Sequence, residues 1–275
     1  MILKFLPGMK ILPMDNNKLE QQMRDLEYFH SLRLLPGSWV IIRVDGRGFS
    51  QFTKSHFKKP FDVEFHKLML QTAAALLEEL HGIYSYTESD EISVLFPPNW
   101  DLFDRSLEKI VSISASLASA TFTHAFQTVV NFDSRVWLGV NQSQIIDYFC
   151  WRQANARRCA LNGWCYWMLR KLGETARKAT TLLDSQSFAF KIDLLLQNGI
   201  DFNELPTWQH RGVGLYWEEY QKTGYNPLEA KEVLVIRRRI KVDDQLPTQD
   251  EYSEFIRSFL NLESNQPKNG HLSEQ

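Results

Sequence analysis

The stretch SWVIIRVDGRGF, residues 38–49, determines how the rest of the chain is interpreted. Its first half is apolar and β-branched, which predicts a buried strand. Asp45 lies where that strand ends, between Arg43 and Arg47 and beside two glycines. A buried strand that brings one carboxylate into a glycine-rich, cationic turn raises the question of what that carboxylate holds.

Helix and strand patterns alternate after this strand. Residues 62–82 have the apolar spacing of a helix that Asp62 can cap, and residues 83–96 alternate as two strands joined by a tight turn. Residues 107–126 predict a second helix, and residues 129–140 predict another strand or pair of strands. This β-α-β-β-α-β order predicts an α+β fold of the ferredoxin-like type, an antiparallel sheet with two helices on one face. Further helices are predicted within 16–32 and 143–206, and a late strand pair is predicted at 211–220 and 231–243.

The composition limits the classes of function. The chain has 275 residues, 44% of them apolar, and a net charge of −2, so any nucleic acid must be held by local basic patches. Three cysteines without a CxxC spacing argue against a disulfide framework or a structural zinc site, and they favour a reducing cytoplasm. The apolar runs at the N-terminus are too short to span a bilayer, so no membrane partner is expected.

Three carboxylates are expected to meet at one edge of the sheet. In this topology the first strand lies beside the hairpin, so Asp45 would approach Asp90 and Glu91 in the hairpin turn. Adjacent carboxylates repel unless a cation neutralises them, and Mg²⁺ combines one or two carboxylates with substrate phosphates. The carbonyl of Gly46 is a plausible extra ligand. The alternative is an ordinary turn beside a solvated hairpin tip, and the spacing alone leaves both interpretations open.

Four segments together carry a resemblance to a known family. They are RVDGRGFSQFTKSHFKKPFD (43–62), YSYTESDEISVLF (84–96), NFDSRVW (131–137) and DYFCWRQANARRCALNGWCYW (147–167). These segments resemble the tRNA-His guanylyltransferase-like proteins, the 3′–5′ nucleotide polymerases. The resemblance implies two Mg²⁺ ions as cofactors, tRNA, ATP, GTP and other NTPs as partners, and a homotetramer. It also implies a loose extension over 1–16, a palm-like catalytic domain over 17–146, a tRNA-facing region over 147–262 and a disordered tail over 263–275.

The resemblance also assigns roles to single residues. Asp45, Asp90 and the carbonyl of Gly46 would hold the Mg²⁺ ions, and Glu91 would be a third catalytic carboxylate. The residues implied for nucleotide binding are Arg43, Arg47, Gly48, Phe49, Lys59, Asp62, Ser89 and Lys109. Those implied for tRNA binding are Arg135, Arg152, Arg157 and Arg158. For the arginines and the helical lysine, the alternative is a solvated or carboxylate-paired side chain. Trp151, at helical spacing from other aromatic residues, is interpreted as core rather than as a base-stacking platform.

Two departures from the family separate this chain from its histidine-specific members. Those members carry His-Ile-Asn-Asn where this chain has Arg157, Arg158, Cys159 and Ala160, and they tend to have a histidine in place of Ser50. The chain resembles the bacterial-type branch, which is associated with repair of 5′-truncated tRNAs. The predicted function is therefore template-dependent 3′–5′ addition of nucleotides to tRNA. The alternatives are addition of an extra 5′ G to histidine tRNA, a nucleotide cyclase, and a non-catalytic RNA-binding ferredoxin-like module.

Overall fold

A single antiparallel sheet organises the protein. The computed structural model describes residues 16–226 and 231–262. The strands in this part of the chain are β1 Trp39–Gly46, β2 Tyr84–Glu88, β3 Glu91–Phe96, β4 Phe132–Gly139, β5 Val213–Asn226 and β6 Lys231–Asp243. Their spatial order is β4-β1-β3-β2-β5-β6, and every neighbouring pair is antiparallel. The expected antiparallel sheet is confirmed, and residues 129–140 form one strand rather than two.

Helices cover both faces of this sheet. The helices of the described residues are α1 Asn16–Leu26, α2 Phe49–His56, α3 Val63–Glu79, α4 Leu107–Phe126, α5 Gln142–Lys171, α6 Ala176–Leu183, α7 Phe188–Gln197, α8 Thr207–Arg211 and α9 Gln249–Leu262. The helices expected near 62–82 and 107–126 are confirmed as α3 and α4. The short α2 and α8 and the C-terminal α9 were not predicted from the sequence. The expected extension and tail lie outside the described residues, apart from Asn16.

The two faces of the sheet are built by strand alternation. In β1, Val40, Ile42 and Val44 point to the face covered by α3 and α4 and belong to one buried cluster. Ile41 points to the opposite face and packs with Phe149 of α5 in a second buried cluster. The face covered by α3 and α4 stays apolar to the end of the strand. The face covered by α5 changes from apolar to charged after Ile41, and this change places the candidate site.

The strand pair β5–β6 extends well beyond the sheet. Only residues 213–216 of β5 pair with β2, and the rest of β5 pairs with β6 alone. Leu234 and Ile236 are exposed on this ribbon. Arg239 donates to Glu218 at 2.8 Å, and Arg238 lies 4.4 Å above the Trp217 ring. Arg238 and Arg239 of β6 therefore contact side chains of β5 across the ribbon.

Two further features of the fold concern the cysteines and the helix lengths. Cys150, Cys159 and Cys165 all lie on α5 and all are free thiols. Within the described ranges, no helix is both long enough and apolar enough to cross a bilayer.

Candidate active site

Asp45 and Asp90 are brought together where β1 meets the β2–β3 turn. The backbone N–H of Gly46 donates to the carbonyl of Asp90 at 3.0 Å, which ties the end of β1 to the turn. Asp45 also lies opposite Glu91 of β3 on one side and opposite Asp133 of β4 on the other. The expected meeting of carboxylates at one edge of the sheet is therefore observed. Glu91 is the first residue of β3 rather than a turn residue.

The turn that carries Asp90 is tight and strained. Ser89 and Asp90 form the whole connection between β2 and β3, and Ser89 has a φ of 50°. Left-handed backbone is uncommon for a residue with a side chain and is typical of sites that the surrounding fold enforces. The Ser89 hydroxyl donates to the Asp90 carboxylate at 3.0 Å. This hydrogen bond orients the carboxylate, because Ser89 holds one of its two oxygens.

Gly46 is required by the packing of Phe49. A Cβ atom at Gly46 would lie 2.4 Å from the Phe49 ring. Phe49 is almost completely buried, and its ring contacts the rings of Phe52, Phe65, Phe122 and Phe132. The Phe49 ring is therefore part of the core, and it packs directly against the backbone of the turn at Gly46. Gly48 has a φ of 73° and begins α2, a conformation that glycine adopts without strain.

The charges of Asp45 and Asp90 are poorly compensated. Burial raises the pKa of Asp45, and the charge of Asp133 raises it further, against the opposing effect of Arg135 and Arg43. Burial also raises the pKa of Asp90, and the charge of Asp45 adds to this effect. For both groups burial is the main cause of the raised pKa, and the neighbouring carboxylates Asp133 and Asp45 add to it. The pair is therefore arranged to gain from a bound cation.

Asp133 is a neighbouring carboxylate that sequence reasoning did not select. It is half-exposed and accepts from Arg135 at 2.9 Å. Its charge reaches Asp45 because β4 pairs with β1 in this register. The segment NFDSRVW pointed only to its arginine, since the pairing of the strands cannot be derived from the segment itself.

Glu91 and Glu88 share one buried arginine. The Arg152 guanidinium contacts Glu88 at 3.0 Å and Glu91 at 2.8 Å, and Arg152 is only 5% exposed. Asn155 donates a second hydrogen bond to Glu88 at 3.1 Å, and Arg43 lies 3.7 Å from Glu91. Burial raises the pKa of Glu91 to about 7, although both arginines oppose the shift. Arg152 and Arg43 therefore belong to an internal ion-pair network, and neither is free to reach a ligand without leaving it.

A pocket of about 150 Å³ adjoins Asp90 on the face of the sheet that carries α3. Lys59, Asp62 and Ser89 line it, together with Ser50, Phe61, His66 and Trp208. Burial lowers the pKa of Lys59, against the opposing charges of Asp90 and Asp62, and its ammonium group contacts the hydroxyl of Thr53. His66 stacks on Trp208 with ring centroids 4.1 Å apart, and burial lowers the pKa of His66 to about 4. The pocket thus offers two lysines, three carboxylates and an aromatic wall that includes Phe61 and Trp208.

Asp62 in this pocket is also the N-cap of α3, which gives a first testable prediction. Its carboxylate accepts from the N–H groups of Glu64 at 2.8 Å, Phe65 at 3.2 Å and Lys58 at 2.9 Å. We expect Asp62→Ala to lower the free energy of unfolding by about 1–2 kcal/mol, and Asp62→Asn to remain close to the wild type because asparagine also caps. These hydrogen bonds lower the pKa of Asp62 despite partial burial.

The pH dependence of this cap follows from the direction of the shift. A lowered pKa in the folded state means that the stabilisation is present above the unfolded pKa, ordinarily 3.8, and is lost as the pH falls through the folded value. Urea unfolding of the wild type, Asp62→Ala and Asp62→Asn at pH 7 and pH 3 measures both effects. Equal stability of all three at pH 7 would contradict the capping role.

Several predicted site residues lie outside this centre. Lys109 is exposed in the first turn of α4, and its role in nucleotide binding stays a prediction. Arg47 is exposed in the turn after β1, and Arg135 is half-exposed on β4. Arg157 and Arg158 are exposed on α5 beyond the buried network. Arg135 is paired with Asp133, and Arg157 lies 5.2 Å from the centroid of the Phe188 ring, so the binding roles of these four arginines also stay predictions.

An antiparallel α/β protein with two partly buried carboxylates beside a lysine-lined pocket has the features of a nucleotidyltransferase. Residues 20–149 match the family model described as tRNAHis guanylyltransferase, and residues 143–256 match the model described as Thg1 C terminal domain. The chain belongs to the tRNAHis guanylyltransferase family.

Relatives and solved structures agree with this assignment. The tRNA(His) guanylyltransferase of Schizosaccharomyces pombe is 30% identical over 243 residues, which are 82% of this chain and 93% of the relative. The tRNA(His) guanylyltransferase 2 of Arabidopsis thaliana is 33% identical over 214 residues, but the chain spans only 40% of that relative. A bacterial tRNA(HIS) guanylyltransferase (Thg1)-like protein in complex with ATP matches 88% of this chain and 99% of its own, with a TM-score of 0.70 and 26% identity. A bacterial tRNA(HIS) guanylyltransferase (Thg1)-like protein in complex with GTP matches with a TM-score of 0.67 and 26% identity.

Proposed function

We propose that this protein extends the 5′ end of truncated tRNAs in the 3′–5′ direction, with the opposing strand of the acceptor stem as template. The observation that carries the proposal is the pair of partly buried carboxylates Asp45 and Asp90, both with raised pKa values, beside the pocket that contains Lys59. The similar bacterial structures in complex with ATP and GTP support nucleotide binding. The family assignment fits addition of a single G to histidine tRNA equally well, so template control is the part of the proposal that needs its own support.

Support for template control comes from two positions. Ser50 lines the nucleotide pocket where histidine-specific members tend to have histidine. On α5, Arg157 and Arg158 are exposed where those members carry His-Ile. A site without these histidines has fewer side chains to select one nucleotide and one tRNA. Base pairing with the tRNA itself is then the available source of selectivity.

The carboxylates fit divalent cations such as Mg²⁺. No group of three or more His, Cys, Asp or Glu side chains in the described ranges is arranged to hold a metal. Mg²⁺ does not need one, because it usually combines one or two carboxylates with waters and substrate phosphates. Asp45, Asp90 and the carbonyl of Gly46 would supply the protein ligands. When bound, two such ions would lower the pKa of the attacking 3′-hydroxyl and neutralise charge on the triphosphate.

The protein's own side chains would position the reactants. Lys59 would contact a triphosphate oxygen, and Asp62 and Ser89 would line the site of the bound nucleotide. The Ser89 hydroxyl would keep the Asp90 carboxylate oriented. A 5′-monophosphate would first be activated with ATP, releasing pyrophosphate. Glu91 is not part of the proposed metal set, because both of its oxygens face arginines.

The domain arrangement is proposed on the same grounds. We propose that residues 17–146 form a ferredoxin-like palm, supported by the strand order β4-β1-β3-β2. Residues 147–262 would face tRNA through the exposed Arg157 and Arg158 of α5, and Arg135 of β4 would add a phosphate contact from the palm. A non-catalytic RNA module would instead expose aromatic residues on its central strands. Tyr84 and Tyr86 of β2 are buried beneath α5 and α9, which disfavours that alternative.

Template control predicts that the added nucleotide follows the opposing base. The experiment uses tRNA transcripts that lack the first nucleotide, carry a 5′-triphosphate, and differ only in the base opposite the gap. We expect G to be added opposite C and U opposite A when one NTP is supplied at a time, with the products identified by sequencing. Full-length tRNA should be a poor substrate. An Asp45→Asn variant purified in parallel is the control for contaminating activity.

Two results would separate this proposal from its alternatives. Addition of G whatever the opposing base, and only to histidine tRNA, would identify a guanylyltransferase of the histidine-specific type. Binding of tRNA without addition of any nucleotide would favour a non-catalytic role.

A further inference from the structure

Trp151 is the exposed member of an otherwise buried aromatic group on α5. Tyr148 and Phe149, in the preceding turn, are buried against the sheet. Trp151 is 54% exposed, so the sequence-based interpretation of this residue as core is wrong. A large aromatic side chain that stays exposed beside a charged site requires an explanation, because burial of such a ring is ordinarily favourable.

Neighbouring side chains of the protein hold the Trp151 ring in place. The guanidinium of Arg152 lies 4.7 Å from the Trp151 ring centroid, and that of Arg43 lies 5.8 Å from it. Tyr148 contacts the ring edge-on at 5.8 Å, and the Tyr148 hydroxyl lies 2.9 Å from that of Ser93 on β3. Both arginines are themselves fixed by Glu91. The indole therefore rests on a rigid, cationic support and presents its open surface to solvent.

The Trp151 ring lies on the face of the sheet covered by α5, and the nucleotide pocket lies on the face covered by α3. Asp45 and Asp90 lie between them. Arg43 and Asp45 are two residues apart on β1, so their side chains share the face covered by α5, and Trp151 lies on Arg43. The pocket lined by Lys59, Phe65 and Met69 belongs to the face covered by α3. The pocket also reaches Glu88, but Trp151 is not among the residues that line it. The reaction nevertheless needs a second partner at the carboxylates, and that partner must approach from the face covered by α5.

We propose that Trp151 stacks on the terminal base pair at the 5′ end of the tRNA acceptor stem. The inference rests on the proposed function, because it takes RNA as the second reactant. An aromatic face accepts any base pair, which suits a protein that must hold stems of different sequence. Exposed cations beside the ring, including Arg135, suit the adjacent phosphates. Stacking would place the 5′ end against the carboxylates while the incoming nucleotide occupies the opposite pocket.

The test compares variants of Trp151 by binding and by kinetics. Trp151→Ala should raise the KM for 5′-truncated tRNA about tenfold and leave the KM for the NTP unchanged, since one stacked base contributes roughly this factor. Trp151→Phe should retain most of the affinity. Trp151→Leu covers the arginines with an apolar side chain but has no aromatic face, so it should behave like Trp151→Ala even if the alanine variant folds poorly. Phe190→Ala, at an exposed aromatic residue of α7, is the control.

A fluorescent base reports the stacking directly. With 2-aminopurine in the terminal pair, wild type and Trp151→Phe should quench its fluorescence on binding, whereas Trp151→Leu should not. Equal quenching by all variants, or a changed KM for the NTP alone, would overturn the inference. The quenching assay needs no catalysis. Trp151-dependent quenching without nucleotide addition would therefore support the stacking and refute the proposed function, whereas normal addition with Trp151-independent quenching would refute the stacking alone.

Discussion

Asp45→Asn is expected to abolish nucleotide addition and, in the absence of metal, to make the fold more stable. Asparagine keeps the shape of the side chain and removes its charge. Without that charge the proposed metal site loses half of its carboxylates, and we expect the single-turnover rate to fall by about 10³-fold or more. The same change should be seen for Asp90→Asn, because the two side chains act on the same ions.

The gain in stability follows from the raised pKa values. Burial raises the pKa of Asp45, and the Asp133 charge adds to the shift. A carboxyl group whose pKa is higher in the folded state stabilises the fold below its unfolded pKa, and this stabilisation is lost as the pH rises through the folded value. At neutral pH the ionised Asp45 side chain therefore lowers the stability of the fold, and the uncharged asparagine removes this loss. The wild type should become more stable when MgCl₂ is added.

Two measurements on one set of proteins test this prediction. Single-turnover addition at saturating Mg²⁺ gives the rate, and thermal unfolding with and without MgCl₂ gives the response to metal. Wild-type Tm should rise with MgCl₂, whereas the Tm of Asp45→Asn and Asp90→Asn should not. Asp133→Asn is the matched control: its carboxylate is half-exposed and paired with Arg135, so addition should fall less than tenfold. Near wild-type turnover by either variant at the paired carboxylates would refute the site.

The sequence predicted this centre well because strand alternation and turn chemistry are local properties. Asp45 ends an apolar run, and Ser89 and Asp90 interrupt two alternating runs. The end of β1 and the β2–β3 turn can therefore be located from the pattern of nearby residues alone. The same locality predicted α3 and its cap at Asp62. These features do not depend on which elements become neighbours in the folded chain.

Residues whose environment depends on distant elements were not predictable in this way. Arg152 and Arg158 are both arginines of one long helix, yet the first is buried against Glu88 and Glu91 and the second is exposed. Asp133 approaches Asp45 only through the register of β4 on β1. In each case the deciding contact joins segments more than forty residues apart.

Arg152→Met is expected to cause the largest loss of stability of any change near the site. Methionine is similar in length and apolar, so it fills the space, but it leaves Glu88 and Glu91 without their main counterion. Removing one partner of a buried ion pair typically costs about 3–5 kcal/mol. Arg177→Met, on the exposed surface of α6, removes the same charge without a buried partner and should change the free energy of unfolding by less than about 0.5 kcal/mol.

The pH dependence of this loss identifies its cause. Burial already raises the pKa of Glu91 to about 7 and raises that of Glu88, even with Arg152 present to oppose both shifts. Without Arg152 the folded pKa values should rise further, so the stability of the variant should be greatest at low pH and be lost as the pH rises through those values. Urea unfolding at pH 5.5 and pH 8 should therefore show a smaller difference between variant and wild type at pH 5.5. A difference that is the same at both pH values would mean that Arg152 contributes by packing alone. In that case the ion pairs with Glu88 and Glu91 would not hold the end of β3 in place beside Asp45.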